Sequence, residues 1–244
     1  MLYSLHRKPK RLNKIKDWQF SWERSKELFS ESWPIILSGL AVYVYSKTDQ
    51  IMLGSMNKNA ELGYYVAAVK ISEICDFWLM ILSSCIFPYL ANLRPNNYQE
   101  YLNKFQIYSD IMMFFWLGVA IPISLLSPLI VHLLYSDNYA KSAEVLTLYV
   151  WAQFGTNFGV VRNTYFTIEG QLRYGFYLTV VGYILNVGLN LLLIPKYGAL
   201  GATAATLITY FYMIILVNFM IKKLRPFGKF IWRSLNLYIE AKIS

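Results

Sequence analysis

Seven ionisable side chains lie in or at the edge of long apolar stretches: Lys47 and Asp49, then Lys70, Glu73 and Asp76, then Arg162, with Glu169 seven residues on. Charged groups are costly in such surroundings and usually face a protein interior or a water-filled cavity. Helical spacing sorts them. Lys47 and Asp49 are two residues apart, about 200° round a helix, so they look to different neighbours. Lys70, Glu73 and Asp76 follow one another at intervals of three and share a face, which makes them a charged stripe. Arg162 has no acid in its own stretch nearer than Glu169, and Gln153, Thr156, Asn157, Asn163 and Thr164 surround it. That wet segment suits a cavity wall where Arg162 faces a ligand. As interior ion pairs the same groups would only fix packing, and for Asp49 with Lys47 or Lys70 the two readings stand level.

The elements that position these residues are membrane helices. Of 244 residues, 56% are hydrophobic and 15% charged, where a soluble domain carries about a quarter charged. Six apolar segments reach the roughly 20 residues that a spanning helix needs: Trp33–Gly54, Leu62–Leu90, Gln106–Leu134, Glu144–Ile168, Tyr174–Ile194 and Ala199–Ile221. Their length and lack of strict alternation predict helices. Ser32 caps the first, with Pro34 in its first turn. Pro88 is expected to end the second span, and Pro122 and Pro128 to interrupt the third. Gly155 with Gly159, and Gly182 with Gly188, are expected to loosen the fourth and fifth. The expected fold is therefore all-α, an integral-membrane six-helix bundle.

Lys and Arg in the connections orient it. With both termini inside, the cytoplasmic connections and tails hold seventeen, including Arg94, Lys104 and Arg173, and the outer loops hold Lys58, Lys141 and Lys196. Residues 1–32 form a basic lead-in and residues 222–244 a basic amphipathic tail. In both, apolar faces such as Trp18, Phe20, Trp22, Phe230, Ile231, Leu235 and Tyr238 suit the inner membrane surface. In this orientation Asp49 lies roughly 8 Å from the outer end of its span, and Lys70 and Glu73 roughly 12 to 16 Å from theirs. An Asp49–Lys70 contact is then within reach.

Other chemistry is not signalled. The pattern shows no P-loop, no Ser–His–Asp set and no metal-ligand cluster, so neither enzymatic activity, a cofactor nor a metal is expected. Cys75 and Cys85 are too far apart along one helix to bridge.

The order and spacing of "ESWPIILSGLAVYVYSKTDQIMLGSM", "ELGYYVAAVKISEICDFWLMILSSCIFPYL" and the later "YGALGATAATLITY" closely resemble the second half of bacterial polysaccharide flippases. These are the O-antigen and capsule repeat-unit translocases of the multidrug/oligosaccharidyl-lipid/polysaccharide exporter superfamily. The resemblance covers about Phe29 to Lys222. It implies the C-terminal lobe of a two-lobed transporter in the bacterial inner membrane, acting in O-antigen or lipopolysaccharide assembly. The substrate would be an undecaprenyl-pyrophosphate-linked oligosaccharide. Lys70 and Arg162, with Asn157 and Gln153, would receive its pyrophosphate and sugars, because cations can replace the hydration of a crossing diphosphate. Asp49, Glu73 and Asp76 would tune those cations or bind the coupling proton or cation. Implied partners are a missing N-terminal lobe or a second copy, the polymerase and chain-length machinery, and the lipid bilayer, with no nucleic acid. A cation-coupled drug or small-molecule exporter, and a non-transporting scaffold for polysaccharide assembly, stay open as alternatives.

Overall fold

The computed structural model describes residues 22–26, 47–56, 58–74, 76–135 and 137–243, with side chains up to residue 236. Apart from a helical turn at 22–26, the basic lead-in and residues 33–46 of the first expected span lie outside the described residues. Residues 47–244 form one compact unit. In chain order it contains α1 (Thr48–Ser55), α2 (Asn59–Glu73), α3 (Asp76–Asn96), α4 (Tyr98–Leu134), a 3-10 turn at Asp137–Tyr139, α5 (Lys141–Ile168) and α6 (Leu172–Phe211). A π-helical segment (Tyr212–Leu216), α7 (Val217–Met220), a second 3-10 turn (Lys222–Leu224) and α8 (Arg225–Ile243) complete it. No strand occurs among the described residues.

Among the described residues, three runs are long and apolar enough to cross a membrane: Asn59–Asn96, Tyr98–Leu134 and Leu172–Met220. The last contains the fifth and sixth expected spans, divided at Gly198, whose backbone (φ 57°, ψ −128°) leaves the helical region. A side chain is strained at that φ, and a Cβ there would also meet the Glu61 carboxyl group. Glu61 uses the space to accept the Ala199 N–H (2.9 Å), and Lys58 donates to the Pro195 carbonyl (3.1 Å). These contacts cap backbone groups that the break would otherwise leave without partners.

Three sequence expectations need correction. Pro88 does not end its helix, since α3 runs on to Asn96, and α4 continues through Pro122 and Pro128. Membrane helices tolerate proline where other groups take over the freed carbonyl. The Ser127 hydroxyl does so, 3.3 Å from the Ser124 carbonyl that Pro128 leaves without its N–H. The true interruption falls within the second expected span, between Glu73 and Asp76. The charged stripe is thus cut by the end of one helix and the start of the next.

That break marks the boundary between two cores. One side is mainly aliphatic and small, with Leu53, Ala68, Leu146, Ile194 and Ala202 packed round Tyr65. The other is aromatic and holds Tyr101, Phe105, Phe158, Tyr165 and Phe166, with Phe227, Phe230 and Ile231 from α8. The apolar face of α8, which sequence reading lays on the membrane, is therefore covered by the bundle. Helix α5 runs through both cores. It is held to α4 by reciprocal bonds, Asn157 Nδ2 to the Met112 carbonyl (2.7 Å) and Trp116 Nε1 to the Val150 carbonyl (3.4 Å).

Gly201 packs where a Cβ would strike the Leu193 carbonyl, whereas nothing approaches Gly188. Gly201→Val is expected to lower the thermal unfolding midpoint in detergent by about 5 °C or more, from overpacking against backbone. Gly188→Ala should leave it unchanged, as read by intrinsic tryptophan fluorescence.

Candidate functional site

Asp49, in the first turn of α1, is the most heavily bonded acid among the described residues. Its Oδ2 accepts from the Tyr65 hydroxyl (2.8 Å) and the Thr206 hydroxyl (2.7 Å), and its Oδ1 from Asn190 Nδ2 (2.6 Å). Asn186 extends the set, its Oδ1 accepting from Asn190 (3.1 Å) and its Nδ2 donating to Thr206 (3.4 Å). Tyr65, Asn186, Asn190 and Thr206 are all buried. One carboxylate thus joins α1, α2 and both parts of α6 through neutral donors. Asn190 Oδ1 is itself buried without a protein partner. Asp49 does not meet Lys70, the contact that depth alone allowed.

Lys47 and Asp49 do face different neighbours, as their spacing requires. Lys47 Nζ pairs with Glu73 Oε1 at 3.5 Å, across the end of α2. Both side chains are substantially exposed, so the pair contributes little to stability. Lys70 is exposed on the same helix, and neither an ion pair nor a hydrogen bond joins it to Glu73. At the start of α3, Asp76 is part-buried and accepts from Gln153 Nε2 (3.3 Å). Gln153 and Asn157 sit one turn apart on α5 beside Asp76 and Ser72, round a cavity of about 20 Å³. Asn157 Oδ1 is buried there without a protein partner.

Arg162 is drawn towards the π-helical segment. Its Nη1 donates to the Met213 carbonyl (3.1 Å), and its guanidinium lies over the Phe166 ring. Asn218 Nδ2 bonds the Ile214 carbonyl (2.6 Å). A π-turn displaces carbonyls from their usual partners, and Arg162 and Asn218 take up two of them. Glu169 is not the counter-ion of Arg162. It receives Arg94 in a bidentate pair (Nε to Oε1 3.0 Å, Nη2 to Oε2 2.9 Å) that ties the end of α3 to the end of α5.

The seven charges thus fall into separate settings. Asp49 sits in a neutral donor cage and Asp76 with Gln153 at the helix break. Lys70 and Glu73 line an exposed face of α2, with Lys47 reaching Glu73 from the start of α1, and Arg162 and Glu169 are engaged by backbone and Arg94. Sequence reading missed the cage residues Tyr65, Asn186, Asn190 and Thr206. Asn186 and Asn190, one turn apart in the apolar fifth span, were its one readable signal. Also missed was Asp110, which bonds Ser234 (2.6 Å) and Gln106 (2.8 Å) where α8 docks on α4.

The family described as polysaccharide biosynthesis protein matches residues 10–144, more than half of the chain. The chain belongs to that family. A probable low-salt glycan biosynthesis flippase of Haloferax volcanii is 22% identical over 192 residues, covering 78% of this chain and 40% of the relative. An uncharacterized membrane protein of Methanocaldococcus jannaschii is 24% identical over 213 residues, covering 84% and 41%. Among solved structures, the lipid II flippase MurJ in an inward closed conformation superposes with a TM-score of 0.67 at 14% identity, over 94% of this chain and 51% of that one. The fold of this polysaccharide-biosynthesis protein is therefore MurJ-like, and it is a multi-pass membrane protein. The chain spans about two fifths of the length of these curated relatives and half of the solved structure.

Asp49→Ala removes the acceptor shared by three buried donors, each costing about 1–3 kcal/mol when left unbonded, whereas Tyr65→Phe removes one neutral hydrogen bond worth about 1 kcal/mol. Denaturation of the purified variants should show Asp49→Ala clearly less stable than Tyr65→Phe. Equal, small shifts would contradict the cage.

Proposed function

We propose that this protein forms the C-terminal lobe of a two-lobed flippase that carries undecaprenyl-pyrophosphate-linked oligosaccharide repeat units across the bacterial inner membrane during surface polysaccharide assembly. Membership of the polysaccharide-biosynthesis family, together with a fold shared over nearly the whole chain with the lipid II flippase MurJ, carries this reading. Both termini face the cytoplasm, in keeping with the Lys and Arg distribution. A second lobe, from another polypeptide stretch or a second copy, closes the cavity. The protein works as a transporter and not as an enzyme, handing its product to the polymerase and chain-length machinery.

In this reading the exposed face of α2 looks into the transport cavity. Lys70 is its cation for the pyrophosphate, and the Lys47–Glu73 pair beside it keeps the wall charged yet nearly neutral. Arg162, anchored to the Met213 carbonyl, contributes positive potential deeper in the lobe, with Asn157 and Gln153 along the same helix. Asp49 takes the coupling proton or cation. Its donors are all neutral, so binding a cation there breaks no ion pair and instead reorients Tyr65, Asn190 and Thr206. Because those donors lie on α2 and on both parts of α6, occupancy at Asp49 would bias how these helices pack. Asp76 tunes the helix break through Gln153.

The test is surface glycan display from a strain whose only copy carries the variant, with protein level measured in the membrane fraction. Lys70→Ala is expected to reduce displayed glycan by about tenfold or more, the scale of one charge-assisted hydrogen bond, while Lys70→Arg retains most of it. Unchanged display with Lys70→Ala at normal protein level would overturn the cavity assignment.

A further inference from the structure

The end of the bundle carrying Arg94, Lys104, Arg173 and Arg225 contains a cleft that the proposed transport path does not use. It opens between the first turns of α4 and the exposed side of α8, with a volume of about 450 Å³. Lys229 and Arg233 stand one turn apart on α8 and face Gln99 and Asn103, one turn apart on α4. Both cations are exposed, and among the described residues no acidic side chain lines the cleft. Of the acids on this part of α4, Glu100, next to Gln99 but outside the cleft lining, accepts from Asn97 Nδ2 (3.1 Å), and Asp110 is bonded to Ser234 and Gln106. Gln106 also donates to the Phe230 carbonyl (3.2 Å), which fixes the two helices that form the walls. Gln106 Oε1, by contrast, is buried without a partner.

Two cations and two amides around a rigid cleft match a phosphodiester: charge-assisted donors from one wall, neutral donors from the other. What surrounds the cleft selects the form that phosphate takes. Ile107 lines its upper rim, and Ile111 and Phe114 continue from it up α4 at one-turn intervals. All three are about half exposed, so an apolar track leads from the cationic mouth into the depth of the bilayer. A soluble phosphate has no use for such a track, whereas two acyl chains do.

We propose that this cleft is a binding site for one anionic phospholipid of the leaflet at the basic end of the bundle. Lys229 and Arg233 hold the headgroup phosphate, Gln99 and Asn103 bond its remaining oxygens, and an acyl chain lies along Ile107, Ile111 and Phe114. The lipid wedges α8 against α4. This site is independent of the proposed flipping activity.

The test uses the full chain in phosphatidylcholine nanodiscs containing a minor fraction of phosphatidylglycerol with a photoactivatable diazirine in its acyl chain. Crosslinked peptides are mapped by mass spectrometry. The expected label lies on α4 around Ile107 to Phe114. It should fall about tenfold in Lys229→Gln/Arg233→Gln, since each cation near a membrane surface contributes several-fold to binding an anionic lipid. Lys229→Arg/Arg233→Lys should keep it, as should Lys222→Gln/Lys223→Gln, which removes the same charge outside the cleft. Equal labelling by a diazirine phosphatidylcholine, or equal loss in the Lys222/Lys223 variant, would overturn the proposal. So would displacement by inorganic pyrophosphate in the aqueous phase, because the cleft would then be a soluble-phosphate site.

Discussion

In hydrocarbon, every polar group carried into the bilayer must find its partner inside the protein, and most of this structure follows from that constraint. The backbone meets it by remaining helical almost throughout. Where helices break or slip, side chains replace the lost partners. Glu61 and Lys58 cap the break at Gly198, Ser127 answers the proline at 128, and Arg162 and Asn218 take up the carbonyls of the π-helical segment. Asp49 shows the constraint acting on a charge, which is tolerated because three neutral donors, from α2 and from both parts of α6, converge on it.

Helix α5 carries this economy through the lobe. It is too polar to stand among the three runs able to cross a membrane by length and composition. It nevertheless runs through both cores, with Asn157 and Trp116 exchanging backbone bonds between α5 and α4, and Ser83 meeting Thr164 (3.0 Å) from α3. A polar helix at the centre of a bundle is shielded by its neighbours. It can also present Gln153 to the break between α2 and α3 without exposing that amide to lipid.

Much of this architecture was legible in the sequence. The apolar segments, the all-α class and the family all follow from length, composition and the order of a few stretches. The separate fates of Lys47 and Asp49 followed from two-residue spacing. The partners of the in-span charges were not legible, because they come from residues 141 and 157 positions away on α6, as Asn190 and Thr206 do for Asp49. Helical periodicity also assumed an unbroken second span, so it joined Lys70, Glu73 and Asp76 into one stripe that the backbone divides. Proline misled in the opposite sense, because the loss of one N–H can be made good by a neighbouring serine.

The central claim is that this lobe helps lipid-linked glycan cross the membrane. The most direct measurement is the sidedness of lipid-linked repeat units in cells lacking the protein, probed from outside with membrane-impermeant periodate and compared with lysed cells. The account predicts that the repeat units accumulate in a form that periodate reaches only after lysis, and that restoring the protein makes them accessible again. Repeat units that remain accessible from outside in the deletion strain, at normal amounts, would contradict it.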